Sequence, residues 1–165
     1  MRFRNLFLAL VFSLFTLPYA SAQTASAKRP MTFEDLMAMR RLGETAVSPD
    51  GKWLAYSVTT ANLDQNTKIT EWWLQKIAAS SDQSGEPFKV AVAQPGDTGL
   101  QFMADGHSVL FLSAREGSQQ IWLADFDSAT GATSNAKKLT NLSTEADNAK
   151  GSPDGKLYEG SQMPR

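Results

Sequence analysis

The spacing of apolar positions divides the chain into three regimes. Leu6 to Leu17 is a continuous apolar run, broken only by Ser13 and Thr16. Phe33, Leu36 and Met37, with Arg40, then recur at the three- and four-residue spacing of one helix face. From Glu44 onward the period drops to two, as in strands with one buried face.

The helical stretch carries its own end signals. Thr32 suits the N-cap, Glu34 and Asp35 fall in the first turn, and Arg40 and Arg41 fall in the last. Gly43 is read as the stop. The Met and Phe stripe is expected to be a packing face.

Four strands follow in the first period-two block. They are Glu44–Val47, Lys52–Val58, Ile69–Ile77 and Phe88–Ala93. Thr60 to Lys68 reads as a polar loop and Ser80 to Glu86 as a turn. A second block repeats the order with Gly99–Met103, His107–Ser113, Gln119–Phe126 and Lys137–Thr140. Asp127, Thr130 and Gly131 belong to the turn before its last strand.

A turn motif marks each block. Ser48-Pro49-Asp50-Gly51 returns as Ser152-Pro153-Asp154-Gly155, and in weaker form as Met103-Ala104-Asp105-Gly106. The turn glycines lie 55 and 49 residues apart. Proline presets φ for the first corner, aspartate suits the second, and glycine takes the left-handed conformation that closes the loop. A hairpin turn recurring at this period, with strands around it, predicts a β-propeller.

The predicted fold is therefore mainly β. It is an incomplete β-propeller of two four-stranded antiparallel blades plus the start of a third. The boundaries are 23–43 for a leader and short helix, 44–98 for blade 1, 99–145 for blade 2 and 146–165 for the opening of blade 3. In the third repeat Glu159 and Gly160 replace core-like residues. Because glycine weakens a strand and an unpaired buried carboxylate is costly, this strand is expected to be short, exposed or distorted.

Residues 1–22 read as a secretory signal peptide. Arg2 and Arg4 give a basic start, Pro18 ends the apolar run, and Ala20-Ser21-Ala22 supplies small residues for cleavage between Ala22 and Gln23. A membrane span needs about 20 apolar residues, more than this run provides. The expected location is periplasmic or secreted. Loss of the two arginines leaves 14 basic against 17 acidic residues. So mild an acidity offers no footprint for nucleic acid and no polybasic patch for a membrane surface.

Candidate chemistry is sparse. With no cysteine, disulfides, thiolate nucleophiles and cysteine zinc sites are excluded. No cofactor or metal site is read from the sequence, since Asp50, Asp105 and Asp154 recur as turn formers and a calcium loop needs several oxygens close together. His107 is the only histidine and directly follows a turn glycine. Gly151-Ser152-Pro153-Asp154-Gly155 places its serine one position too early for a Gly-x-Ser-x-Gly nucleophile elbow. No catalytic residue is assigned. Trp53, Trp72, Trp73 and Trp122 are read as core residues.

The helix leading into a Ser-Pro-Asp-Gly strand at 32–58, with the repeats at 48–58, 104–126 and 152–161, resembles the start of bacterial serine peptidases of the prolyl oligopeptidase family. The similarity is to the dipeptidyl aminopeptidase and acylaminoacyl peptidase branch. It implies a propeller that caps an α/β-hydrolase domain with a Ser-Asp-His triad and restricts substrates to short peptides. Nothing in this sequence matches that catalytic half. The expectation is a non-catalytic N-terminal piece of a longer exported peptidase, inactive alone. A periplasmic propeller acting as a protein-docking scaffold is the alternative.

Overall fold

A computed structural model describes residues 29–77, 85–154 and 158–162. They fall into two compact units, Met1–Met31 and Thr32–Arg165. Of the first, only residues 29–31 are described, so the expected signal peptide and the Ala22–Gln23 cleavage point lie outside the described residues. Among the described residues, no helix is long and apolar enough to cross a membrane.

Helix α1 spans only Phe33–Ala38. Thr32 caps it through a reciprocal box: the Asp35 amide donates to Thr32 Oγ1 at 3.3 Å, and the Thr32 amide donates to Asp35 Oδ2 at 2.9 Å. Gly43 is not its stop. The backbone is already extended at Met39, and strand β1 runs Arg41–Val47 through Gly43. Nor does the helix bury the expected face. None of its residues is buried, and Phe33 is 63% exposed. A helix of six residues is too short to present two full turns to a core.

Strands β1, β2 (Trp53–Asn62), β3 (Thr67–Lys76) and β4 (Phe88–Lys89) form an antiparallel meander in sequence order. The stretch read as a polar loop at 60–68 is mostly strand. The β2–β3 ladder continues to Asn62↔Thr67 before a turn over 63–66. Thr59 and Thr70 face each other across it, their hydroxyls 2.8 Å apart. β-Branched threonines favour the extended backbone, and cross-strand pairs hold it. β4 is shorter than expected because the chain leaves the sheet after Val90, whose amide still reaches the Trp72 carbonyl at 2.9 Å.

The second meander comprises β5 (Thr98–Phe102), β6 (Ser108–Ser113), β7 (Gln120–Phe126) and β8 (Thr133–Lys138). β8 starts four residues before the expected Lys137, because Thr133 already pairs with Phe126. Strands β9 (Ala146–Gly151) and β10 (Tyr158–Gln162) form a hairpin with a register irregularity between Glu159 and Ser161. Gly160 is half-buried there, and a Cβ on it would lie 2.6 Å from Ile121 Cδ1. The glycine thus lets β10 approach β7.

Two apolar cores separate these layers. Trp53, Ala55, Trp72 and Leu74 of the first sheet pack against Val109, Phe111, Trp122 and Phe126 of the second. The opposite face of the second sheet, through Leu110, Leu112, Ile121 and Leu123, packs on Ala146 and Ala149 of the hairpin. Each fully buried side chain such as Phe111 or Leu74 contributes about 2–3 kcal/mol. In the second sheet, successive residues of β6 and β7 point to opposite faces and so supply side chains to the layer on either side, as stacked propeller blades require.

Candidate functional site

The repeated turns are built by short-range chemistry. In the first, the Gly51 amide donates to the Ser48 carbonyl at 2.8 Å, and Gly51 has φ of +70°. Buried Ser48 donates from Oγ to Asp50 Oδ1 at 2.6 Å and accepts the Trp53 amide at 2.9 Å. The Lys52 amide reaches Asp50 Oδ1 at 3.1 Å. These bonds, the serine hydroxyl first, hold the Asp50 carboxyl below its ordinary value. Pro49 is exposed at the corner.

The second turn reaches the same shape with other groups. The Gly106 amide donates to the Met103 carbonyl at 3.0 Å, with φ of +69° at Gly106. Asp105 accepts from the His107 amide at 2.8 Å and from the Ser108 hydroxyl at 2.9 Å. The hydroxyl thus comes from after the turn, which leaves its first position to Met103, a core residue. In the third, Ser152 Oγ donates to Asp154 Oδ1 and Pro153 is exposed; Gly155 lies outside the described residues.

Seven residues before each turn glycine, the leading strand of each layer is irregular. Glu44, Gly99 and Asn148 occupy these places, and the ladders slip at each. At Gly43 a Cβ would lie 2.6 Å from Ser57 Oγ, which instead accepts the Glu44 amide at 2.8 Å. The slips in β5 and β9 release backbone groups that side chains of the preceding layer take up. Glu44 Oε2 accepts the Gly99 amide at 2.7 Å, and Gln101 Nε2 donates to the Ala149 carbonyl at 2.6 Å. Strands β1, β5 and β9 thereby border a cleft of about 710 Å³. Its charged groups are Glu44, Asp147 and Lys150.

A buried ion pair, missed in the sequence, joins the first two layers. Arg115 Nη2 lies 2.7 Å from Asp97 Oδ2 and 2.9 Å from the Val92 carbonyl, while Nε donates to Ser113 Oγ at 2.8 Å. The guanidinium stacks 4.6 Å from the Trp122 ring centroid. Asp97 also accepts the Gln94 amide, and its carbonyl accepts Trp72 Nε1 at 2.9 Å. No local spacing links positions 97 and 115, so only the packing reveals the pair.

The tryptophans divide. Trp53, Trp72 and Trp122 are core residues. Trp53 Nε1 also donates to the Ser128 carbonyl at 2.8 Å, tying β2 to the β7–β8 turn. Trp73, read as core, is only half-buried on the outer face of the first sheet. His107 is exposed. Among the described residues, no group of three His, Asp or Glu side chains is placed to hold a metal ion.

Two curated proteins are similar to this chain in sequence. The chain is 31% identical over 101 residues to dipeptidyl-peptidase 5 of Porphyromonas endodontalis, and 29% identical over 104 residues to that of Porphyromonas gingivalis. It is a partial homologue of dipeptidyl-peptidase 5. The matches cover 60% and 63% of this chain but 14% of each relative, so it spans a small part of their length. No family model matches.

Solved structures agree on the fold. The isopeptidase AtxE2 superposes with a TM-score of 0.52 at 16% identity, over 73% of this chain and 21% of its own. An acylaminoacyl peptidase, solved with a peptidyl chloromethyl ketone, gives 0.51 at 18% identity, over 73% and 17%. The two sheets and hairpin match propeller portions of prolyl oligopeptidase family structures.

Proposed function

We propose that this chain is the non-catalytic N-terminal propeller part of an exported serine exo- or oligopeptidase that acts on short peptides. The observation that carries this reading is the 31% identity to dipeptidyl-peptidase 5 over 101 residues. The basic, apolar and small-residue order of positions 1–22 supports export. In this reading the propeller restricts access to an α/β-hydrolase domain, and the serine nucleophile, the histidine base and the carboxylate that orients it come from outside these residues. The single histidine, exposed on a hairpin turn, has no part in catalysis.

The test reads the coding sequence beyond Arg165 and assays the product. A Gly-x-Ser-x-Gly followed by Asp and then His, with dipeptidyl or acyl-amino-acid hydrolysis by the whole polypeptide, is expected. The 165-residue chain alone is expected to hydrolyse neither reporter. Serine-inhibitor-sensitive hydrolysis by the purified chain overturns the reading. So does completion of the propeller followed by a stop codon, which selects a docking scaffold.

A further inference from the structure

The β2–β3 hairpin outgrows its blade. With Tyr56↔Trp73 aligned on Phe111↔Trp122, the pair Val58↔Glu71 stands where the β6–β7 ladder ends at Ser113↔Gln120. The pairs from Thr59↔Thr70 to Asn62↔Thr67 have no counterpart in the second sheet. At about 3.3 Å per residue they carry the hairpin roughly 13 Å further. None of their residues belongs to either apolar core, and neither does any residue of α1. Helix and extension instead border an open groove of about 590 Å³. Met37 of the helix and Leu63 and Ile69 of the hairpin line it, and the last two are 47% and 41% exposed.

Two further features narrow the occupant. The first is an unpaired strand edge. β1 leaves β2 at Arg41↔Thr59, so Thr60, Ala61 and Asn62 pair with β3 on one side and border the groove. Among the described residues, no backbone bond from another element reaches these three. Such an edge offers N–H and C=O groups to an added extended chain. The second feature is charge. Glu34 stands on the helix side and Asp64 at the hairpin turn, and no lysine or arginine lines the groove. Among the described residues neither carboxylate is ion-paired. An acidic rim repels nucleic acid and anionic lipid and favours lysine and arginine. We propose that this groove takes an extended segment of a partner protein that carries both apolar and basic side chains. The segment adds a strand to the free edge of β2, sets its apolar groups on Met37, Leu63 and Ile69, and brings its cations to Glu34 and Asp64. The inference goes beyond the peptidase reading and does not rest on it.

Fluorescence anisotropy on the longest folded polypeptide carrying this chain tests the proposal. The probe is a short peptide of alternating leucine and lysine, labelled and blocked at its ends. It is expected to bind, and the same peptide with glutamate for lysine is expected not to. Glu34→Gln with Asp64→Asn is expected to weaken binding about tenfold, as the loss of two exposed ion pairs would. Methylating the backbone nitrogens of the probe removes its donors and keeps its charge, and is expected to weaken binding to the unaltered protein by about tenfold as well. Failure of the lysine peptide to bind overturns the proposal, as does equal binding of the glutamate peptide. So does a double variant that binds as tightly as the parent, or an affinity that methylation leaves unchanged.

Discussion

Arg115 Nη2 sits 2.7 Å from Asp97 Oδ2, and the pair ties the segment leaving β4 to the segment leaving β6. Both side chains are shielded, at 13% and 4% exposure. Removing one partner leaves the other charge buried and alone. Asp97→Asn is therefore expected to destabilise the longest folded polypeptide carrying this chain by about 3 kcal/mol. Adding Arg115→Met to Asp97→Asn is expected to recover part of that loss. A double-mutant cycle on urea midpoints checks both, and additive losses would show that the pair is not coupled.

Two turn glycines separate backbone strain from steric exclusion. At Gly51 a Cβ meets nothing within 4 Å, so Gly51→Ala is expected to cost only the positive-φ penalty, about 1–2 kcal/mol. At Gly131, with φ of +78°, a Cβ would lie 2.6 Å from Trp53 and 2.9 Å from Phe88. Gly131→Ala is expected to add about 1–3 kcal/mol of overpacking to the same strain. Denaturant midpoints of the two variants decide the order.

Acid acts on the turns in a fixed direction. Hydrogen bonds from Ser48 and the Lys52 amide lower the Asp50 carboxyl, and those from Thr130 and the Ala129 amide lower Asp127. A depressed folded value makes this stabilisation complete above the unfolded carboxylate value of about 3.9. It is then lost as pH falls through the lower folded values. Asp50→Asn with Asp127→Asn is expected to flatten that acid limb, measured as stability against pH from 7 down to 2. An unchanged limb would place the acid sensitivity elsewhere.

Exposed apolar surface bears on how the chain behaves by itself. Leu42, Val47 and Phe88 are 74%, 56% and 39% exposed. Expressed by itself, the stretch from Thr32 to Arg165 is expected to be poorly soluble or to lack a cooperative thermal transition. Calorimetry with light scattering tests this, and a sharp melt from a monodisperse monomer would contradict it.

Much of the fold was legible because its signals are local. Gly51 and Gly106 take positive φ, and the aspartate before each is bound within three residues of itself. Both meanders follow from period-two alternation. The misreadings share one cause, which is structure set by distant groups. Gly43 resembled a helix stop, yet it sits in a strand irregularity where Ser57 comes from the neighbouring strand. The polar stretch 60–68 lacked alternation because neither of its faces is buried, yet its backbone pairs as strand. Trp73 looked like Trp122 in sequence, but only Trp122 has a layer against it.

Sequence by itself determined the repeat, the turns and the strand order, because proline and glycine torsions, Asx hydrogen bonds and apolar alternation act over a few residues. Tertiary structure alone decided which sheet faces are sealed, where the leading strands slip, and that Asp97 meets Arg115. Those outcomes depend on side chains brought together from separate strands and loops, and no local spacing encodes them.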